Sequence, residues 1–221
     1  MATNYNPKIV TDGLVLCLDA ANTKSYPGSG TTWTDISGKS NNGTLTNGPT
    51  FDSGNQGSFG FDGSNDYVSI SNAALSKNCS ILLWFKGNPT PNNWSDVFTF
   101  QTGVDSTASR LEKHGNTAYQ YNWYMGGFVS GTVLFNHTGT KYDFISLVFD
   151  DTNATCYQNA VQTAQSASSD FGSASVIHFG KRLNMNALWS GNIAQVSIYH
   201  RPLTATEVLQ NYNATKGRFG L

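Results

Sequence analysis

Turn-forming clusters break this chain roughly every 8–15 residues, and the stretches between them are short, alternating or β-rich. That rhythm leaves no room for long helices or βαβ units and points to an all-β, two-sheet antiparallel sandwich. Gly13–Asp19 reads as a buried opening strand. Asn41-Asn42-Gly43, Asn47-Gly48-Pro49 and Asp62-Gly63 then punctuate short pieces, because Asn and Gly accept the positive φ of tight turns. Asp66–Ile70 alternates, while Ser80–Lys86 is apolar on both faces and predicts a central strand. Phe144–Phe149 and Thr155–Val161 flank a polar tip at Asp150–Asn153, a hairpin; Val176–Phe179 and Ile193–Tyr199 complete the sheets.

One helix is predicted. Thr204 as N-cap with Glu207 at the third helical position forms a capping box, and Leu203 with Val208 forms a hydrophobic staple. The helix should run about two turns towards Asn213 and close at Lys216-Gly217. No repeat or linker divides the chain, so residues 1–221 read as a single domain.

At 221 residues, 13% aromatic, 12% charged and a net charge of −1, the chain is a packed, near-neutral protein. It has no charge run to recruit nucleic acid or an anionic bilayer. The start is polar, with no secretory signal, and the apolar runs Gly13–Leu18 and Ile81–Phe85 are too short to insert in a membrane. Cys17, Cys79 and Cys156 lie in apolar, strand-like sequence and read as buried, reduced thiols. The Asn-X-Ser/Thr sequons, at Asn42, Asn78, Asn93, Asn136, Asn153 and Asn213, are about as many as chance gives.

A set of ordered motifs spans most of the chain: Leu18-Asp19-Ala20, Ser25-Tyr26-Pro27-Gly28, Trp33-Thr34-Asp35-Ile36-Ser37-Gly38 and Asn41-Asn42-Gly43-Thr44. Phe61–Val68, Trp84-Phe85-Lys86, Gly191–Tyr199 and Arg201-Pro202-Leu203-Thr204 follow. In this order they resemble a concanavalin A-like lectin/glucanase domain of the laminin-G-like group. The C-terminal Asn211-Tyr212-Asn213 and Lys216-Gly217-Arg218-Phe219 resemble copies in virion proteins of tailed phages, cyanobacterial ones in particular. The resemblance implies a jelly roll with one short C-terminal helix, glycan or protein binding, and core positions for Trp33, Trp84 and Trp189. Where relatives carry a Tyr-Val-Asn-Gly turn, this chain has Tyr157-Gln158-Asn159-Ala160, which predicts a different turn geometry.

Hydrolytic members of the superfamily need two carboxylates facing each other across a groove. The chain has only Glu112 and Glu207, and Glu207 is used by the helix cap, so no enzyme is expected. The four histidines (His114, His137, His178, His200) are scattered, with His178 and His200 on strands as packing residues. Sugar binding uses aromatic faces beside Asn and Asp. Asn88–Asp96 reads as a Pro-rich loop presenting Trp94, and Tyr119, Tyr121 and Trp123 share one face if their segment is a strand. These four are the candidate ligand- or interface-binding residues, although an aromatic stripe in a sandwich is commonly core. No cofactor is expected. Calcium, bound by some laminin-G-like domains, has Asp35, Asp62 and Asp66 as its candidate ligands, whose other use is turn capping.

The resulting expectation is a non-enzymatic virion protein, made in the host cytoplasm. Strand sequence begins near residue 13 and the chain ends soon after the helix, without the stalk that fibre copies carry, which suits a capsid decoration protein. It would dock on capsid or other virion proteins as a symmetric homo-oligomer. The alternative is a tail or fibre component binding a host surface glycan.

Overall fold

The computed structural model describes residues 8–54, 57–75, 77–88, 95–101, 109–113, 120–124, 133–167, 174–182 and 188–221. The first strands are β1 (Leu14–Asp19), β2 (Thr32–Trp33), β3 (Gly43–Thr46), β4 (Thr50–Asp52), β5 (Ser58–Asp62) and β6 (Tyr67–Leu75). Then come β7 (Cys79–Gly87), β8 (Ser95–Gln101), β9 (Ser109–Lys113), β10 (Gln120–Tyr124) and β11 (Val133–Asn136). The last are β12 (Asp143–Phe149), β13 (Asn153–Gln158), β14 (Val161–Ala167), β15 (Ala174–Phe179) and β16 (Ser190–Tyr199). Sheet I has the order β14-β13-β12-β7-β16-β5-β4, with β1 also on β16; sheet II runs β11-β10-β9-β8-β15-β6-β3-β2. Every described pairing is antiparallel. The two-sheet sandwich is the one the turn rhythm requires.

Strand β7 shows why its sequence is apolar on both faces. Ile81, Leu83 and Phe85 point into the core between the sheets, with Trp33, Phe59, Phe98, Tyr121 and Trp189. Leu82 and Trp84 point the other way, into a second layer with Val10, Phe144, Leu203 and Val208. That layer is closed by α1 (Ala205–Thr215) and a 3-10 turn at Lys216–Phe219. Trp84 stacks on Phe219 with ring centres 4.1 Å apart, and its indole N–H donates to Thr215 Oγ1 at 2.8 Å. The outer face of sheet I around β7, β12 and β16 is therefore covered by the chain's own C-terminus.

The capping box forms as predicted: Thr204 Oγ1 accepts from the Glu207 backbone N–H, and the Glu207 carboxylate accepts from the Thr204 N–H at 2.9 Å. Arg201 grips the same carboxylate at 2.6 Å and holds Glu207 down at about 2. The helix is a turn longer than its sequence suggested, because the 3-10 segment extends it and Gly220 (φ 73°), not Gly217, takes the left-handed closing position. Thr204→Ala should cost about 1 kcal/mol, a drop of roughly 2–4 °C in the unfolding midpoint for a domain of this size. An unchanged calorimetric trace would show that Arg201–Glu207 holds the helix start without the cap.

One sequence expectation is corrected here. The predicted strand Thr155–Val161 is interrupted, since Asn159 (φ 52°) and Ala160 (φ 65°) form a two-residue turn between β13 and β14. The turn lacks the Gly that takes such a conformation most readily. Both residues adopt the left-handed conformation a type I′ hairpin needs, Ala160 against its own preference. The Asn159 amide anchors it by accepting from Phe144 N (2.9 Å) and donating to Asp143 Oδ1 (2.8 Å). The three cysteines are free and buried, and burial pushes Cys17 up to about 11 and Cys156 up to about 12.

Candidate functional site

Strand β10 brings Tyr121 and Trp123 onto one face, as the alternation predicts, but that face is the core. Tyr121 is 1% exposed and Trp123 7%. Tyr121 packs on Phe85 and Phe135 with centroids 5.3 and 5.1 Å apart. Trp123 lies 4.9 Å from Phe149 of the opposite sheet. Sheet II turns its aromatic side towards sheet I because that is where apolar area leaves water. Neither residue is a surface platform. Trp94 and Tyr119 lie outside the described residues, as does His114.

The opposite face of the same strands carries what the sequence reading missed. The loop predicted over Asn88–Asp96 ends inside β8, where Asp96 sits directly across from Glu112 of β9. Arg182 bridges them, donating from Nε to Asp96 Oδ2 (2.8 Å), from Nη2 to Asp96 Oδ1 (3.1 Å) and from Nη2 to Glu112 Oε2. Arg110 Nε donates to the same Glu112 oxygen at 2.7 Å, and Thr99 Oγ1 to Asp96 at 3.1 Å. Burial pushes Asp96 up to about 6, against the downward pull of Arg182. A facing carboxylate pair does exist. Yet Asp96 and Glu112 are 0% and 1% exposed and cross-linked by a guanidinium, whereas a glycosidase pair must flank an open sugar site. The arrangement is that of a clamp between strands. No sequence motif marks it; only the register of β8 on β9 and a residue 86 positions away assemble it.

His137, His178, Asp35, Asp62 and Asp66 serve the structure. His137 accepts from Gly87 N at Nε2 (2.9 Å) and meets Asp143 through Nδ1 (2.6 Å). A side chain at Gly87 would strike the Tyr121 hydroxyl, so the strand needs glycine there. His178 faces outward from β15, edge-on to Tyr67, with burial lowering it to about 4; His200 lies exposed just beyond β16 rather than within a strand. Asp35 accepts from Cys17 N, Ser37 N, Ser37 Oγ and Asn41 N at 2.8–3.0 Å, tying its loop to β1. Asp62 accepts from Ser64 N at 2.7 Å, which lowers its pKa, and Asp66 accepts from Asp62 N. Their oxygens serve turns. Among the described residues no group of three or more His, Cys, Asp or Glu is placed to hold a metal ion.

An open groove lies at the rim, where the segment after β1 meets β4 and the C-terminal turn. It has a volume of about 410 Å³ and is lined by Thr23, Tyr26, Phe51, Ser53, Gly57 and Arg218, among others. Tyr26 and Phe51 form its aromatic floor, their rings 5.0 Å apart, with Phe51 half-buried and Thr23 and Ser53 exposed at the edge. Phe59 supports Tyr26 edge-on at 4.7 Å, and the Tyr26 hydroxyl donates to Gly30 O. Arg218 closes one end by pairing with Asp19 at 2.5 Å and donating to Gly57 O at 2.7 Å. Pairing of β1 with β16 is what brings Ser25-Tyr26-Pro27-Gly28 beside Lys216-Gly217-Arg218-Phe219.

A jelly-roll sandwich with a covered outer sheet face and an aromatic rim groove defines a lectin-like domain. The chain belongs to the concanavalin A-like lectin/glucanase superfamily, in its laminin-G group, which matches residues 62–209. The binding domain of Paraclostridial Mosquitocidal Protein 1 is similar in structure, with a TM-score of 0.71 and 16% identity over 92% of this chain and 52% of that one. Domain 4 of AbnA, an extracellular arabinanase of Geobacillus stearothermophilus solved with arabinotriose, has a TM-score of 0.69 and 16% identity over 90% of this chain and 98% of that one. Trypanosoma rangeli sialidase in complex with 2,3-difluorosialic acid has a TM-score of 0.73 and 14% identity over 98% of this chain and 36% of that one. This chain thus spans about half of the first chain and about a third of the sialidase, and at such identity the likeness is one of fold. No curated protein matches the chain by sequence.

Proposed function

We propose that this chain is a non-enzymatic glycan-recognition protein carried on a phage particle. The rim groove is the observation that carries the reading. Phe51, backed by the buried Tyr26, offers aromatic surface to the C–H side of a pyranose, while Thr23, Ser53 and Arg218 line the same space with hydrogen-bonding groups. The arabinotriose complex of the AbnA domain supports carbohydrate binding by this fold. The virion setting rests on the likeness of Asn211–Phe219 to phage copies, and an open groove suits a tail or fibre position facing a host envelope. Capsid decoration takes second place because it called for a desolvated aromatic patch. Tyr121 and Trp123 are instead in the core, and the large apolar side chains exposed among the described residues are Ile36, Val161, Leu209 and Leu221, from four separate segments.

Glycan-array binding and titration calorimetry test this. The wild type should bind a host-surface glycan and release no reducing ends from it. Phe51→Ala should weaken binding about tenfold or more, the scale of losing roughly 1.4 kcal/mol of ring contact, with the circular dichroism spectrum retained. Absence of any glycan ligand, or an unchanged affinity in Phe51→Ala, would sink the proposal.

A further inference from the structure

Arg218, at the closed end of the groove, lines a second cavity as well. That open cavity, about 480 Å³, lies on the other side of the side chain and is lined by Asp19, Gln195, Asn213, Thr215, Lys216 and Arg218, among others. Arg218 is a ridge between two subsites. Its guanidinium is fixed by Asp19 and Gly57 O, so at the ridge the two charges cancel and a ligand crossing it meets a neutral, hydrogen-bonding surface.

Lys216 differs. Its ammonium sits over the Tyr212 ring, 5.1 Å from the centroid, which holds it at the cavity wall. Among the described residues it has no carboxylate at ion-pair distance. Of the other side chains that line the cavity, Gln195, Asn213 and Thr215 are uncharged, and Asp19 is paired with Arg218. Among the described residues that line this cavity, Lys216 is thus a cation without an ion-pair partner.

We infer that the two cavities form one extended site for an acidic glycan, resting on the glycan-binding reading above. A neutral sugar sits over Phe51, the chain crosses Arg218, and a neighbouring sugar places its anionic group against Lys216. Charge attraction then supplies specificity as well as affinity.

An array of neutral, carboxylated and sulfated oligosaccharides, probed with wild type, Lys216→Gln and Phe51→Ala, tests this. Wild-type binding should favour anionic members over their neutral counterparts by about tenfold. Lys216→Gln should abolish that preference, whereas Phe51→Ala should weaken both classes. Preference for carboxylated over sulfated members, or the reverse, identifies the anion. Wild-type binding without an acidic preference, or a preference that survives Lys216→Gln, overturns the inference and leaves the glycan reading standing. No binding to any member overturns both.

Discussion

Replacing Arg182 with methionine is expected to lower the midpoint of thermal unfolding by on the order of 10 °C. Methionine keeps much of the aliphatic volume and removes the three donors that Arg182 aims at Asp96 and Glu112. What remains is a pair of buried carboxylates directly across a β8–β9 rung, with Arg110 donating to Glu112. Removing one partner of such a buried network typically costs about 3–5 kcal/mol, because the charge left behind has neither water nor counter-ion. The loss should also depend on pH. Asp96 is raised to about 6 in the folded protein, above its ordinary value of 3.8. A folded carboxyl that holds its proton more tightly than the unfolded one contributes stability that is complete below the unfolded value and fades as pH rises through the folded one. Loss of Arg182 lets Asp96 keep its proton to still higher pH, so the variant regains part of its deficit in acid. Melting curves should show a smaller gap from wild type at pH 5 than at pH 8. A gap under about 2 °C at both pH values would mean the clamp contributes nothing.

The fold was legible because its signals are local. Turn clusters, the two-faced apolar run of β7 and the Thr204–Glu207 box each state their structure within a few residues. The functional surface was not, because it is made by pairing. Asp96 follows a Pro-rich stretch and reads as loop, and only the β8–β9 register shows it facing Glu112. Arg218 lies in a motif the sequence flagged, but its partner Asp19 is 199 residues away and meets it only once β1 lies against β16. The aromatic stripe of β10 was half legible. Alternation puts Tyr121 and Trp123 together and Asn122 opposite, yet says nothing about which side faces the other sheet. Asn122 is also fully buried, so polarity alone would not have separated the faces.

That ambiguity makes Trp123→Ala the other decisive variant. Its ring is 4.9 Å from Phe149 of sheet I and 5.5 and 5.6 Å from Phe98 and Phe100 of sheet II, joining the two layers of the core. Among the described residues the indole N–H has no hydrogen-bond partner, so truncation removes packing and leaves no polar group stranded. A cavity of that size in a filled core costs about 3–5 kcal/mol, which again lowers the midpoint by on the order of 10 °C. Trp123→Phe should restore a large part of the loss, since it refills most of the space. Glycan affinity per folded molecule should match the wild type in both variants, because the rim groove is built from other elements. A surface platform would behave in the opposite way, melting with the wild type and losing its ligand. Measuring both quantities on the same sample tells the two apart, and the second pattern would place Trp123 outside the core.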